Sequence, residues 1–278
     1  MRDDAAPVPL TPASAPKAPG RQGREDARRL GDGTLQIAID SIRVRFGSQA
    51  LTRAAELPPP QPWSSETPID GLTGIGGLPR GRLSLLTGSG TSGKLTLALA
   101  LLARATREFA HPMVIDCGGF DPWSLLPFSP EFGALTVVRA PAPEIAGEAA
   151  ATLTRAGAGF LLLMGEVPEH WLGPLESGAN RSGTVVVGVV DAPSRALAHA
   201  SSFSVEFSRR GWIWDRDQMV GLRTSTRCVK NRVAPPLGEM ELEIRYSLGG
   251  CSPLDYTPGI TESPIRIQEA RPRESAAV

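Results

Sequence analysis

The chain has 278 residues, 41% of them hydrophobic, which is enough to bury one sizeable core with tails attached. Its 29 basic and 29 acidic residues cancel to a formal net charge of zero, so the basic excess of a dedicated non-specific nucleic-acid binder is missing. Cys117, Cys228 and Cys251 stand far apart without a CxxC pair, which argues against a disulfide framework or a thiolate metal site and for a reducing, cytoplasmic setting.

Residues 1–33 are rich in Pro, Ala, Gly and mixed charge and predict a disordered tail rather than a signal peptide. No apolar run approaches the roughly 18–20 residues that cross a bilayer, so no membrane association is expected. Within residues 34–55, Leu35, Ile39, Ile42 and Phe46 recur at offsets of four, three and four. That spacing sets them on one face of a helix, which Gly47 would end. Residues 56–68 contain Pro58, Pro59 and Pro60 in a run and predict an extended tether.

A compact α/β pattern fills residues 69–256. Gly81–Thr87 reads as a strand, about Gly93 to Phe109 as a helix, Pro112–Asp116 as a strand, Glu144–Ala156 as a helix, and Gly159–Met164 and Thr184–Val190 as buried strands. Strands alternating with helices imply a parallel sheet with right-handed crossovers. After Ser201 the texture changes: Phe203–Phe207, Gly211–Trp214, Thr224–Lys230 and Glu239–Tyr246 predict an antiparallel extension, with Arg209-Arg210 as a solvated turn. Residues 257–278 predict a second flexible tail.

Between the first strand and the first helix of this core stand Gly88, Ser89, Gly90, Thr91, Ser92, Gly93 and Lys94, a GxxxxGK pattern. Strand–loop–helix is the setting in which that pattern makes a phosphate loop: backbone N–H groups turn inward on a phosphate, the helix N-terminus adds partial positive charge, and the lysine reaches the outer phosphates. Such a loop takes ATP. The following position should offer a hydroxyl to Mg²⁺, but Leu95 stands there and Thr96 comes one residue late, about 100° further round the helix. Metal binding at this loop is therefore doubtful, and no other metal site is expected. His111, His170 and His199 are scattered. Trp212 and Trp214 alternate on a strand, which predicts packing rather than base stacking.

Ile69 to Gly81, followed by this loop, resembles the RecA family of bacterial recombinases. Val114–Pro122, Arg195–Gly211 and Cys228–Pro236 resemble further stretches of that family in the same order. Leu35 to Arg53 is similar to the N-terminal helix that RecA protomers lay on a neighbour. The resemblance spans roughly residues 35–256 without the family's C-terminal domain. It implies a RecA-type P-loop core, with a mostly parallel sheet flanked by helices and an antiparallel extension. It also makes Leu35, Ile39, Ile42 and Phe46 candidate interface residues, together with Lys230 and Arg232, which match lysines that touch a neighbour's nucleotide. Trp123 falls where the family lines its adenine pocket, a place a core aromatic would fill equally well.

The departures from the family matter as much. Its catalytic glutamate falls in the stretch matched by Asp116 to Gly119, where no carboxylate follows Asp116. Its metal-supporting aspartate falls on Gly165; Glu166 comes one residue late, which within a strand would point it to the opposite face. Its γ-phosphate-sensing glutamine falls on Val190-Asp191. Residues 165–183 and 191–202 read as short connections in place of the DNA-binding loops. No catalytic residue can be assigned, and RecA-style binding of single-stranded DNA is expected to be lost. The leading expectation is a degenerate accessory protein of DNA repair, similar to the ImuA-like group that serves damage-induced translesion synthesis. It would act by docking on a RecA-like protein or a Y-family-type polymerase, or by self-assembly. Two alternatives stay open: a DNA-dependent ATPase in which Glu166, Asp116 or Asp191 acts from a displaced position, and a nucleotide-gated regulator that binds ATP without cleaving it.

Overall fold

The computed structural model describes residues 36–45, 47, 61–235, 238–246 and 265–269. Contacts divide the chain into two units, residues 1–59 and 60–278. In the first, residues 36–45 form helix α1. The Gln36 side chain supports it by donating to Asp40 Oδ1 at 3.2 Å, one turn on. Ile39 is half-buried, whereas Ile37, Ile42 and Val44 are exposed. Leu35 and Phe46, the ends of the expected apolar face, lie outside the described residues.

The second unit begins with β1 (Pro62–Trp63), which pairs antiparallel with β2 (Leu78–Pro79) around the short helix α2 (Ile69–Thr73). A nine-stranded sheet follows. Its chain order is β3 (Leu83–Thr87), α3 (Lys94–Glu108), β4 (Pro112–Asp116), β5 (Thr136–Arg139), α4 (Pro143–Ala156), β6 (Phe160–Met164), α5 (Glu169–Ser182), β7 (Val185–Val189), α6 (Arg195–Ala200), β8 (Phe203–Asp215), β9 (Gln218–Asn231), β10 (Glu239–Tyr246) and β11 (Ile265–Glu269). Across the sheet the order is β11-β10-β9-β8-β3-β7-β6-β4-β5. Strands β8, β3, β7, β6, β4 and β5 are mutually parallel, and β9, β10 and β11 extend the sheet antiparallel, as the sequence texture predicts.

Strands covered on both faces need uniformly apolar sequences, and β3, β6 and β7 sit mid-sheet with nearly every residue buried. Leu97, Leu101 and Leu102 of α3 pack on one face, against Phe160, Leu162, Val185 and Val187. Ala146 and Ala150 of α4 with Leu172 and Leu175 of α5 pack on the other, against Leu85, Leu161, Leu163 and Val186. Alternation along each strand thus divides the core into two layers.

Several expectations are corrected. Of the tether expected over residues 56–68, residues 56–60 lie outside the described residues, but from Pro62 the chain is in the fold, and Trp63 is 1% exposed. A proline run marks an extended segment, but it does not show that a neighbouring tryptophan has found a core. Residues 165–183 are not merely a connection, since α5 occupies Glu169–Ser182. Gly173, Pro174 and Gly178 blur its periodicity, and glycine is what lets α4 and α5 approach: a Cβ on Gly178 would sit 2.5 Å from Thr154 Oγ1. Arg209 and Arg210 lie within β8, which runs unbroken through two register shifts there and beyond, rather than in a turn. Finally, β11 falls inside the stretch expected to be loose. It pairs with β10 along its length, and Ile267 packs against the core.

Candidate nucleotide site

Strand β3 delivers the glycine loop to the carboxyl end of the sheet, between β7 and the extended β8. Gly88 has φ 136°, and a Cβ there would lie 2.3 Å from the Phe207 carbonyl oxygen on β8. Gly93 has φ 92° and precedes α3. Gly90 through Thr96 line a cavity of about 710 Å³, shared with Gly118, Met164, Glu166, Asp191, Trp212 and Tyr246, among others. Gly88 and Ser89 join it from below through Lys94, whose ammonium donates to their carbonyl oxygens at 2.6 and 3.2 Å. Of the nine residues expected to form the loop, seven line this cavity and two reach it only through Lys94.

The lysine is not free. Its Nζ also lies 2.6 Å from Asp191 Oδ1, and the backbone N–H of Gly88 donates to the Asp191 carbonyl oxygen at 3.1 Å. The Lys94 side chain is 9% exposed and that of Asp191 75%. The connection after β7, which stands where the family's γ-phosphate sensor would be, therefore clamps the loop with both main chain and side chain. Sequence gave Asp191's position but not this pairing; the signal lay in the parallel register of β3 and β7, which sets their carboxyl ends side by side.

Phosphate groups fit the seat. Ser92 is 1% exposed, lines the cavity, and its hydroxyl has no hydrogen-bond partner among the described residues. Buried hydroxyls are ordinarily satisfied, and this one, like that of Ser84 in β3, is not. Ser92, Lys94 and the loop backbone would hold the phosphates, and the nucleotide would supply the phosphoanhydride. Leu95, 44% exposed, stands where the hydroxyl ligand of a Mg²⁺ ion would be. Among the described residues no group of three or more His, Cys, Asp or Glu is placed to hold a metal.

The carboxylates have other work. Asp116 is buried, and its Oδ1 accepts the N–H groups of Gly118 at 2.9 Å and Phe120 at 3.1 Å, while Oδ2 pairs with Arg139. Burial pushes this carboxyl up, but the Gly118 N–H, the Arg139 guanidinium and the Phe120 N–H together outweigh it and hold it below the usual carboxylate range. Both oxygens are engaged in holding the loop after β4. Glu166 is a correction. Because β6 ends at Met164, strand alternation does not reach it; it lines the cavity, with Oε1 accepting the Ser194 N–H at 3.0 Å.

Arg209 was not singled out as a site residue. In β8 it runs past the loop, donates to Thr91 Oγ1 at 2.8 Å, and lays its guanidinium 4.9 Å from the Trp212 ring centre. Trp212 and Trp214 are 40% and 60% exposed, so neither is a core aromatic, and Trp212 packs under Arg209. Trp123, 62% exposed and tilted against Phe132, is likewise not a core aromatic.

Lys230 and Arg232 come together away from the loop, in a second depression with Glu176, Arg195 and His199. Lys230 donates to the carbonyl oxygens of Ala198 and His199 at 2.6 and 2.7 Å, closing the end of α6. Burial first, and Arg232 second, pull its ammonium below the usual lysine range against the opposing pull of Glu176. Arg232 is exposed. Ile39 and Ile42 belong to the other unit.

A family model described as the RecA N-terminal domain matches residues 33–168. The chain is 30% identical to RecA of Gluconobacter oxydans over 258 residues, covering 77% of this chain and 75% of that protein. It is 27% identical to RecA of Chlorobium limicola over 259 residues, 77% of this chain and 74% of the relative. RecA of Aquifex pyrophilus is 27% identical over 264 residues, 78% and 75% of the two chains.

Proposed function

The chain belongs to the RecA family, and from that membership we propose that it is a DNA-repair accessory protein that does not turn over nucleotide and works by assembly with protein partners. The observation that carries this reading is the state of the loop. Lys94 is tied to Asp191, Leu95 replaces the metal's ligand, and Gly118 and Gly119 stand where a carboxylate would polarise water. Phosphoryl transfer is catalysed almost wholly by positioning and charge, so losing the metal anchor and the water-activating group together removes its means.

The partner side of the reading rests on α1 and the resemblance to the ImuA-like group. The proposed contact face is Leu35, Ile39, Ile42 and Phe46, of which Ile42 is exposed and Ile39 half-buried, leaving apolar surface that a neighbour would cover. The partner is a RecA-like protein, a Y-family-type polymerase of damage-induced translesion synthesis, or a second copy. RecA-style strand binding is lost in this reading: only Gly165–Pro168 joins β6 to α5, and only Val190–Ser194 joins β7 to α6. Among the described residues no helix is long and apolar enough to cross a membrane, and a cytoplasmic site of action completes the proposal.

Phosphate release from ATP, measured with and without single-stranded DNA, should stay at the level of Lys94→Ala. DNA-stimulated release that Lys94→Ala abolishes sinks the proposal and promotes the second reading, an ATPase using Glu166 from its place in the cavity; Glu166→Gln would then remove the activity. Charging the helix face with Ile39→Asp and Ile42→Asp should cut capture of a purified RecA-family or Y-family-type partner at least about tenfold. Unchanged capture counts against α1 as the contact.

A further inference from the structure

In a phosphate loop the backbone cradles the α- and β-phosphates, and the lysine reaches the outermost ones. This chain keeps the first provision and has reassigned the second. Gly90 through Lys94 line the cavity, and Ser92 among them has a buried hydroxyl without a partner among the described residues. An ammonium has three protons, and Lys94 has three acceptors in place: Gly88 O, Ser89 O and Asp191 Oδ1. A γ-phosphate would find no free donor on the lysine. It would also approach the carboxylates of Asp191 and Glu166, two negative charges against one lysine on the cavity wall, with no metal at Leu95 to screen them. A β-phosphate also forgoes the lysine but keeps the N–H groups of the loop backbone. Arg209, fixed at the rim through Thr91, adds a positive charge that needs no metal.

We infer that the seat selects a nucleoside diphosphate over the triphosphate without metal, with Asp191 as the specificity-determining residue. This rests on the non-hydrolysing reading above. Calorimetric titration of the full chain with ADP and with ATP tests it, first in EDTA and then with Mg²⁺. ADP should bind about tenfold tighter than ATP, in the same order with and without Mg²⁺. In Asp191→Asn, which keeps the side chain's size, ATP should gain about tenfold and ADP much less, so that the two converge. A merely structural role for Asp191 would move both nucleotides together. ATP binding as tight as ADP to the unaltered chain overturns the inference, and so does failure of both to bind. Neither result touches the non-hydrolysing reading, whose own failure appears as phosphate release.

Discussion

Trp63→Ala should lower the free energy of unfolding by about 3–5 kcal/mol, read from the midpoint of a denaturant titration. Trp63 is 1% exposed and sits edge-on to Phe160 with ring centres 5.2 Å apart, and tilted to Phe109 at 5.5 Å. Its indole N–H donates to Glu108 Oε2 at 2.9 Å, and Glu108 also meets Arg104 and Arg80. Truncation leaves a cavity among large rings and removes the indole donor from that charged group. Trp63→Phe keeps most of the packing and loses mainly the hydrogen bond, so it should cost about 1 kcal/mol. Equal, small effects from both substitutions would return residues 61–68 to the status of a tether.

Asp116→Ala should cost about 3 kcal/mol, because it strips the N–H groups of Gly118 and Phe120 of their acceptor and Arg139 of its partner in one step. Arg139 remains largely solvated, which limits the loss. The pH dependence has a definite sign. A carboxyl held lower in the folded state than in the unfolded chain stabilises the fold above its ordinary pKa near 3.8, and that contribution is lost as pH falls below it. Stability of the unaltered chain should therefore decline on acidification below about pH 4, and that part of the decline should vanish in Asp116→Ala. Superimposable acid limbs for the two proteins would show that this pairing is not what holds the loop after β4.

The sequence carried the fold where apolar runs were uniform. Val185–Val189 and Phe160–Met164 could be little other than central strands, and their covering on both faces requires the flanking helices. It carried less where packing is made by absence. Helix α5 is concealed because its contact with α4 is built on Gly178 and on Trp171 laid over Gly147, not on a stripe of leucines. At the site, the loop was readable from spacing alone, since strand, glycines and lysine are local in the chain. Its clamp was not: Lys94 and Asp191 are 97 residues apart, and the Arg209–Thr91 contact spans 118. Both follow from which strands flank β3, a property of the assembled sheet. Glu166 departs from expectation for a smaller reason: the strand ends at Met164, two residues before it, so alternation does not set its direction.

The Phe207 carbonyl pressed against Gly88 bears on how such loops persist. At that position any side chain would collide with the backbone of β8 before a nucleotide came into question, so glycine is demanded by the architecture itself. A descendant that had abandoned phosphates altogether would still have to spell that letter of the signature. Surveys that infer activity from it would count inert proteins among working ones, and the informative letters are those the scaffold leaves free to vary, such as the exposed Leu95.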